Sequence, residues 1–143
     1  EISISISSTH KTAENILKRG AFTVSFATAA QVAACDYVGL VSGNKVPDKF
    51  ARAGFHAEKS EFVDAPLVEE LPMALECRVR SYDTETDILR GEIVNVSADE
   101  TILTDGKIDP AKLRPIVFDP VNLDYLELGA KAGKAFGEGN KLK

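Results

Sequence analysis

The chain has 143 residues, 44% of them hydrophobic, and a formal net charge of −5. That length fits one domain with a substantial core, and an acidic balance with no long basic block argues against a nucleic-acid groove or a membrane-surface stripe. No apolar run approaches a membrane span and no signal-peptide pattern is present, so a cytoplasmic protein is expected.

Ile2, Ile4 and Ile6 alternate with Ser3, Ser5 and Ser7, the period of two of a half-buried strand. A helix is predicted over residues 13–19, with Ala13, Ile16 and Leu17 on one face, Thr12 as its N-cap and Gly20 as its stop. The junction, Ser7-Ser8-Thr9-His10-Lys11-Thr12, is rich in hydroxyls and cations. The first N–H groups of a helix lack intrahelical partners and its dipole favours negative charge, so this junction suits a phosphate monoester. Capping alone would also account for its composition.

Phe22, Val24 and Phe26 mark a second strand. Residues 28–40 read as an Ala-rich helix capped by Thr28, with Val32, Cys35, Tyr37, Val38 and Val41 along one face and Ser42-Gly43-Asn44 ending it. A short helix over residues 47–52 has Pro47 in its first turn and stops at Gly54. Lys45 and Lys49 beside that joint read first as solvated charges.

The middle of the chain is β. Residues 55–63 form a short strand and residues 67–71, between Pro66 and Pro72, an edge segment. Met73, Leu75, Cys77 and Val79 alternate with Ala74, Glu76, Arg78 and Arg80; after a polar turn at residues 83–87, residues 88–98 return as the partner strand. The pair reads as an antiparallel hairpin with one buried face. Glu92 should lie near Arg78 or Arg80, an exposed contact contributing about 0–1 kcal/mol. Gly91 inside the strand points to a bulge or to the close approach of another group.

Asp105-Gly106 is a tight-turn signal, Asp109-Pro110 opens a helical turn through Lys112, and residues 115–118 form another short strand. Tyr125 to Leu128 precede Gly129 and a tail rich in Gly, Ala and Lys. Many short strands with two or three helices indicate a closed or half-closed antiparallel barrel in one domain over residues 1–143. The chain opens inside a strand pattern and its only Met is Met73, so further residues are expected upstream.

Chemistry-bearing motifs are sparse. There is no G-x-S-x-G elbow, P-loop or G-x-G-x-x-G fingerprint. Cys35 and Cys77 lack CxxC spacing and read as free thiols, and with His10 and His56 the only histidines no zinc site is expected. No carboxylate pair stands out as a general acid and base. If the protein is an enzyme, a cofactor supplies the reactivity.

Several stretches occur in an order that resembles a known family: His10-Lys11-Thr12 leading to Asn15-Ile16, Gly20-Ala21-Phe22-Thr23-Val24, the run from Cys35 to Gly43, Asp48-Lys49-Phe50, Lys59-Ser60, the run from Pro66 to Glu70, Leu75-Glu76-Cys77, the run from Gly91 to Val96, and the run from Tyr125 to Gly129. The family is that of the flavin reductase-like proteins with an FMN-binding split barrel, which includes flavoredoxin. The resemblance implies a mainly β, Greek-key antiparallel split barrel with flanking short helices, and a homodimer whose interface helps enclose FMN.

It further implies that Ser5, Ser7, Ser8, His10, Lys11 and Thr12 hold the FMN phosphate and ribityl chain. Lys49 would reach the flavin, where an ammonium would stabilise the negative charge of the reduced ring. Tyr125 or Phe136 would close over the isoalloxazine. Members of the family carry further strands before the segment that opens here, and these supply other flavin contacts.

The implied activity is that of an oxidoreductase. It accepts hydride from NAD(P)H onto flavin N5 and passes electrons to another flavin, a metal complex or a protein partner. Two alternatives stay open: an FMN-binding electron carrier without its own NAD(P)H turnover, and a cofactor-free dimeric interaction module.

Overall fold

The isoleucine and serine alternation at the start of the chain becomes strand β1 (Ile2–Ser5), with the isoleucines half-buried and the serines exposed. In this computed structural model, which describes residues 1–143, helix α1 (Lys11–Arg19) follows and leads into β2 (Ala21–Ser25). Helices α2 (Val32–Leu40) and α3 (Lys49–Arg52) come next, then the hairpin of β3 (Ala57–Lys59) and β4 (Pro66–Val68). The long hairpin of β5 (Met73–Asp83) and β6 (Ile88–Ala98) forms the centre. Strands β7 (Leu103–Thr104) and β8 (Lys107–Ile108), helix α4 (Pro110–Leu113), and the hairpin of β9 (Ile116–Asp119) and β10 (Asp124–Glu127) complete the order.

The main sheet runs β1-β6-β5-β2, antiparallel throughout. The β5–β6 hairpin is thus inserted between two strands that α1 connects, which is a Greek-key arrangement. Both outer strands, β1 and β2, leave an edge open. The result is the expected mainly β split barrel with short flanking helices. Its core joins Ile16 of α1 to Phe22, Cys77 and Leu89 of the sheet, with the three isoleucines of residues 2–6 packed against them.

Local signals worked where the chain folds on itself. Gly20 takes φ 68 and its N–H reaches the Ile16 carbonyl, closing α1 as expected. Gly54, at φ 78, follows α3. Asp105 (φ 52) and Gly106 (φ 70) make the tight turn between β7 and β8. Asp109 caps α4 by accepting from the Ala111 N–H. Arg80 pairs with Glu92 at 2.7 Å.

Other expectations shift. Helix α1 starts two residues earlier than its apolar pattern, with His10 in the cap position (φ −80, ψ 138), so Thr12 lies in the first turn and is not the cap. Leu17 is 46% exposed, because the sheet is reached only through Ala13 and Ile16. Helix α2 buries none of its residues and is preceded by a short turn, Ala29–Gln31; it ends on extended Val41, before Ser42-Gly43-Asn44. The strand expected over residues 55–63 shrinks to β3, since the Ser60 hydroxyl takes the N–H groups of Phe62 and Val63 and turns the chain away. The regular alternation of β5 fails as well. A register shift between Glu76 and Cys77 leaves both side chains fully buried.

Gly91 answers to the second of its two readings. A Cβ there would lie 2.4 Å from Phe22 Cζ and 2.7 Å from Cε1. Phe22 is itself locked in the core, so its ring has little room to yield. Gly91→Ala is therefore expected to lower stability by about 1–3 kcal/mol through overpacking. The midpoint of urea unfolding checks this, and an unchanged midpoint contradicts it.

Candidate functional site

The first turn of α1 faces the last turn of α2 across an open cleft. On the α1 side, the amides of Lys11, Thr12 and Ala13 donate no hydrogen bond to the chain. On the α2 side, the last carbonyls are engaged by a side chain. Lys49 Nζ donates to the Val38 carbonyl at 2.6 Å and to the Val41 carbonyl at 2.8 Å. A cation in this position suits the negative end of a helix. An ammonium carries three N–H groups, so one remains for a ligand. The solvated-lysine reading is thus replaced by a half-buried one, in which Lys49 both fastens α2 and borders the cleft.

The rim is closed by the turn after α2. A Cβ on Gly43 would approach Lys11 Cβ to 3.3 Å, so the turn lies directly on the lysine stem. Asn44 Nδ2 donates to the Thr9 carbonyl at 3.3 Å. Between these walls lies a volume of about 650 Å³, bordered by His10, Lys11, Thr12 and Asn15, the segment from Val38 to Gly43, and Pro47, Lys49 and Phe50. A second cavity of about 310 Å³, with Ile16, Phe22, Thr23 and Pro66 in its wall, meets the cleft at Thr12 and Asn15.

Four of the seven residues singled out from sequence converge here: His10, Lys11, Thr12 and Lys49. Ser5, Ser7 and Ser8 do not line the cleft. Ser5 is exposed on β1 opposite Ile88, the Ser7 hydroxyl pairs with Thr9 Oγ1 at 3.1 Å, and the Ser8 N–H donates to Asp87 Oδ1 at 3.1 Å. The aromatic candidates also lie apart. Tyr125 donates its hydroxyl to Asp36 at 2.8 Å and its ring packs against Phe118, while Phe136 is fully exposed in the C-terminal segment. Asn15 and the Gly43 turn are the additions that the structure makes. Asn15 was legible as part of a motif but carried no assigned role.

The charge balance of the cleft is cationic. No Asp or Glu lines it, although the chain as a whole carries −5. Glu14 lies just outside and pairs with Lys11 at 2.7 Å, and the lysine holds its carboxyl below the usual carboxylate range. By contrast, the cavity beside β3 and β4 contains Glu58 and Asp64, and the one beneath Thr28 contains Glu69, Glu70 and Asp99. The titratable pair His56 and Glu70, 2.6 Å apart, sits outside the cleft; the carboxylate raises the imidazole above its ordinary pKa. No three His, Cys, Asp or Glu side chains converge as a metal site, and no helix is long and apolar enough to cross a membrane.

Comparison with known proteins identifies the family of the fold. Residues 2–118 match the family described as the flavin reductase like domain. The structure of a flavoredoxin from Desulfovibrio vulgaris (Miyazaki F) is 39% identical, superposes with a TM-score of 0.90, and shares 96% of this chain and 74% of its own. A flavoredoxin from Methanosarcina acetivorans is 32% identical with a TM-score of 0.88, over 99% of this chain and 75% of its own. An uncharacterized protein of Aquifex aeolicus (strain VF5) is 32% identical over 106 residues, 69% of this chain. The chain spans about half the length of that relative, 50%. With the family model covering most of its length and the split barrel shared throughout, the chain belongs to the flavin reductase-like family.

Proposed function

We propose that this protein binds FMN in the cleft between α1 and α2 and serves as a flavoredoxin-like electron carrier. The observation that carries the reading is the pairing of free first-turn amides with an acid-free, cationic cleft in an acidic chain. The likeness to two flavoredoxins supports it. The fit to the phosphate is chemical: unpaired N–H donors, the Thr12 hydroxyl, and the cationic side chains of Lys11 and Lys49. Bound there, FMN would supply reversible one- and two-electron transfer. Thr12 and the first-turn amides orient the phosphate, and Lys49 brings a fixed positive charge to the opposite wall.

The protein supplies few acids or bases to such a site, which suits electron or hydride transfer carried by the flavin itself. A second reading, an NAD(P)H-dependent flavin reductase, is favoured by the adjoining cavity, whose wall combines Phe22 with the Arg19 and Asn15 side chains and leaves room beside the cleft. The electron acceptor would be a small molecule or another protein. We extend the proposal to a homodimer, since the β9–β10 hairpin exposes Val117, Phe118, Val121, Leu123 and Leu126. Sedimentation equilibrium tests this, and a monomer at micromolar concentration would count against it.

The two readings part on reduction of the FMN-loaded protein without oxygen. The carrier reading predicts that dithionite bleaches the flavin absorbance while NADH and NADPH leave it standing. Rapid bleaching by either nucleotide overturns the carrier reading in favour of the reductase.

A further inference from the structure

We infer that Asp87, at the end of the β5–β6 turn, is the positioning residue for the phosphate-holding end of α1; the functional part of this rests on the FMN reading above. Sequence places Asp87 about eighty residues from the site, in what reads as an ordinary polar turn. In the fold it is the point at which the segment before α1 is fastened. Its backbone carbonyl accepts from the Ile6 N–H at 2.9 Å, and its Oδ1 accepts from the Ser8 N–H at 3.1 Å. The same Oδ1 accepts from the Tyr82 hydroxyl at 2.6 Å, which also lies 3.0 Å from the Ile6 carbonyl. The chain is thus held at residues 6 and 8. Between them, the Ser7 carbonyl accepts from the His10 N–H at 3.0 Å, closing the turn that delivers His10 in its extended cap conformation. The free amides of α1 follow directly.

Asp87 has φ 54, a left-handed conformation that Asp, Asn and Gly adopt most readily among residues. The Tyr82 hydroxyl and the Ser8 N–H hold its carboxyl below the usual range, with the Ser7 hydroxyl and His10 adding to the effect. A carboxylate near a phosphate site repels the ligand. Its contribution is therefore geometric: it fixes residues 6–10 in spite of its charge. This yields a sharp contrast between two variants that both tolerate the backbone. Asp87→Asn keeps an acceptor oxygen for Ser8 and removes the charge. Asp87→Gly keeps the turn and removes the acceptor.

The test is an FMN titration by fluorescence quenching together with hydrogen exchange, on the full chain of wild type, Asp87→Asn and Asp87→Gly. Asp87→Gly is expected to raise exchange selectively at the hydrogen-bonded amides of Ile6, Ser8 and His10 and to weaken FMN binding by about tenfold or more. Asp87→Asn is expected to match wild-type exchange and to bind FMN as tightly or more tightly. Three results would overturn the inference: wild-type behaviour of Asp87→Gly, equal damage in both variants, or a rise in exchange spread evenly over the sheet. If wild type itself takes up no FMN, the cleft reading fails, while exchange at the Ile6, Ser8 and His10 amides still decides whether Asp87 sets the loop.

Discussion

Glu76→Ala is expected to destabilise the protein by about 3 kcal/mol, since several donors lose their shared acceptor and each buried one left unsatisfied costs about 1–3 kcal/mol. Glu76 is 0% exposed in the middle of β5. Its carboxylate accepts from the hydroxyls of Ser60 and Ser97 and from Asn95 Nδ2 at 2.7 Å. Alanine leaves these donors without their acceptor. The loss also spreads, because the Ser60 hydroxyl accepts the N–H groups of Phe62 and Val63 at 3.0 Å and so shapes the turn that delivers Val63 and Ala65 to the second core cluster.

The same cluster sets a pH dependence. Burial pushes the Glu76 carboxyl up, but the hydrogen bonds from Ser60, Ser97 and Asn95 together outweigh it and hold the group below its ordinary 4.5. A carboxyl depressed in the folded state adds stability that is fully present above the unfolded pKa and is lost as pH falls through the folded one. Urea midpoints should therefore drop below pH of about 4.5 in wild type. In Glu76→Gln, which is less stable at neutral pH, the acid-side fall should be shallower. Equal midpoints for Glu76→Ala and wild type at pH 7 would show that the cluster contributes nothing to stability.

Lys49→Met is the second large effect, expected in affinity more than in stability. The substitution keeps most of the stem and removes the charge. Helix α2 loses the donor to its Val38 and Val41 carbonyls, a cost of about 0.5–1.5 kcal/mol. FMN binding should weaken by about ten- to a hundredfold, the equivalent of one charge-assisted hydrogen bond in a partly desolvated cleft. Thr12→Ala, which removes an exposed hydroxyl from the first turn of α1, should weaken it by less and leave the unfolding midpoint in place. Unchanged FMN affinity in both variants would remove the cleft from the binding site.

These expectations divide according to what local sequence encodes. The isoleucine alternation of β1, the Gly20 stop, the Asp105-Gly106 turn and the β5–β6 hairpin follow from spacing and turn chemistry within a few residues, and all were legible. The cleft was half legible. His10, Lys11 and Thr12 announce an anion-compatible helix start, and Lys49 was tied to it through a family resemblance. Ser5, Ser7 and Ser8 share their composition but not their direction, because β1 pairing turns Ser5 outward and Asp87 draws in Ser8. Glu76 and Asp87 were illegible for a common reason. The bulge that buries Glu76 and the contacts that give Asp87 its partners depend on strands and loops far apart in the chain.

The proposed FMN site is the cationic cleft between α1 and α2. A titration of the purified, flavin-free protein with FMN, followed by quenching of flavin fluorescence, tests it most directly. Saturable uptake of one FMN per chain, weakened in Lys49→Met, is the predicted result. Full flavin fluorescence at every protein concentration, or uptake that Lys49→Met and Thr12→Ala leave unchanged, would contradict it.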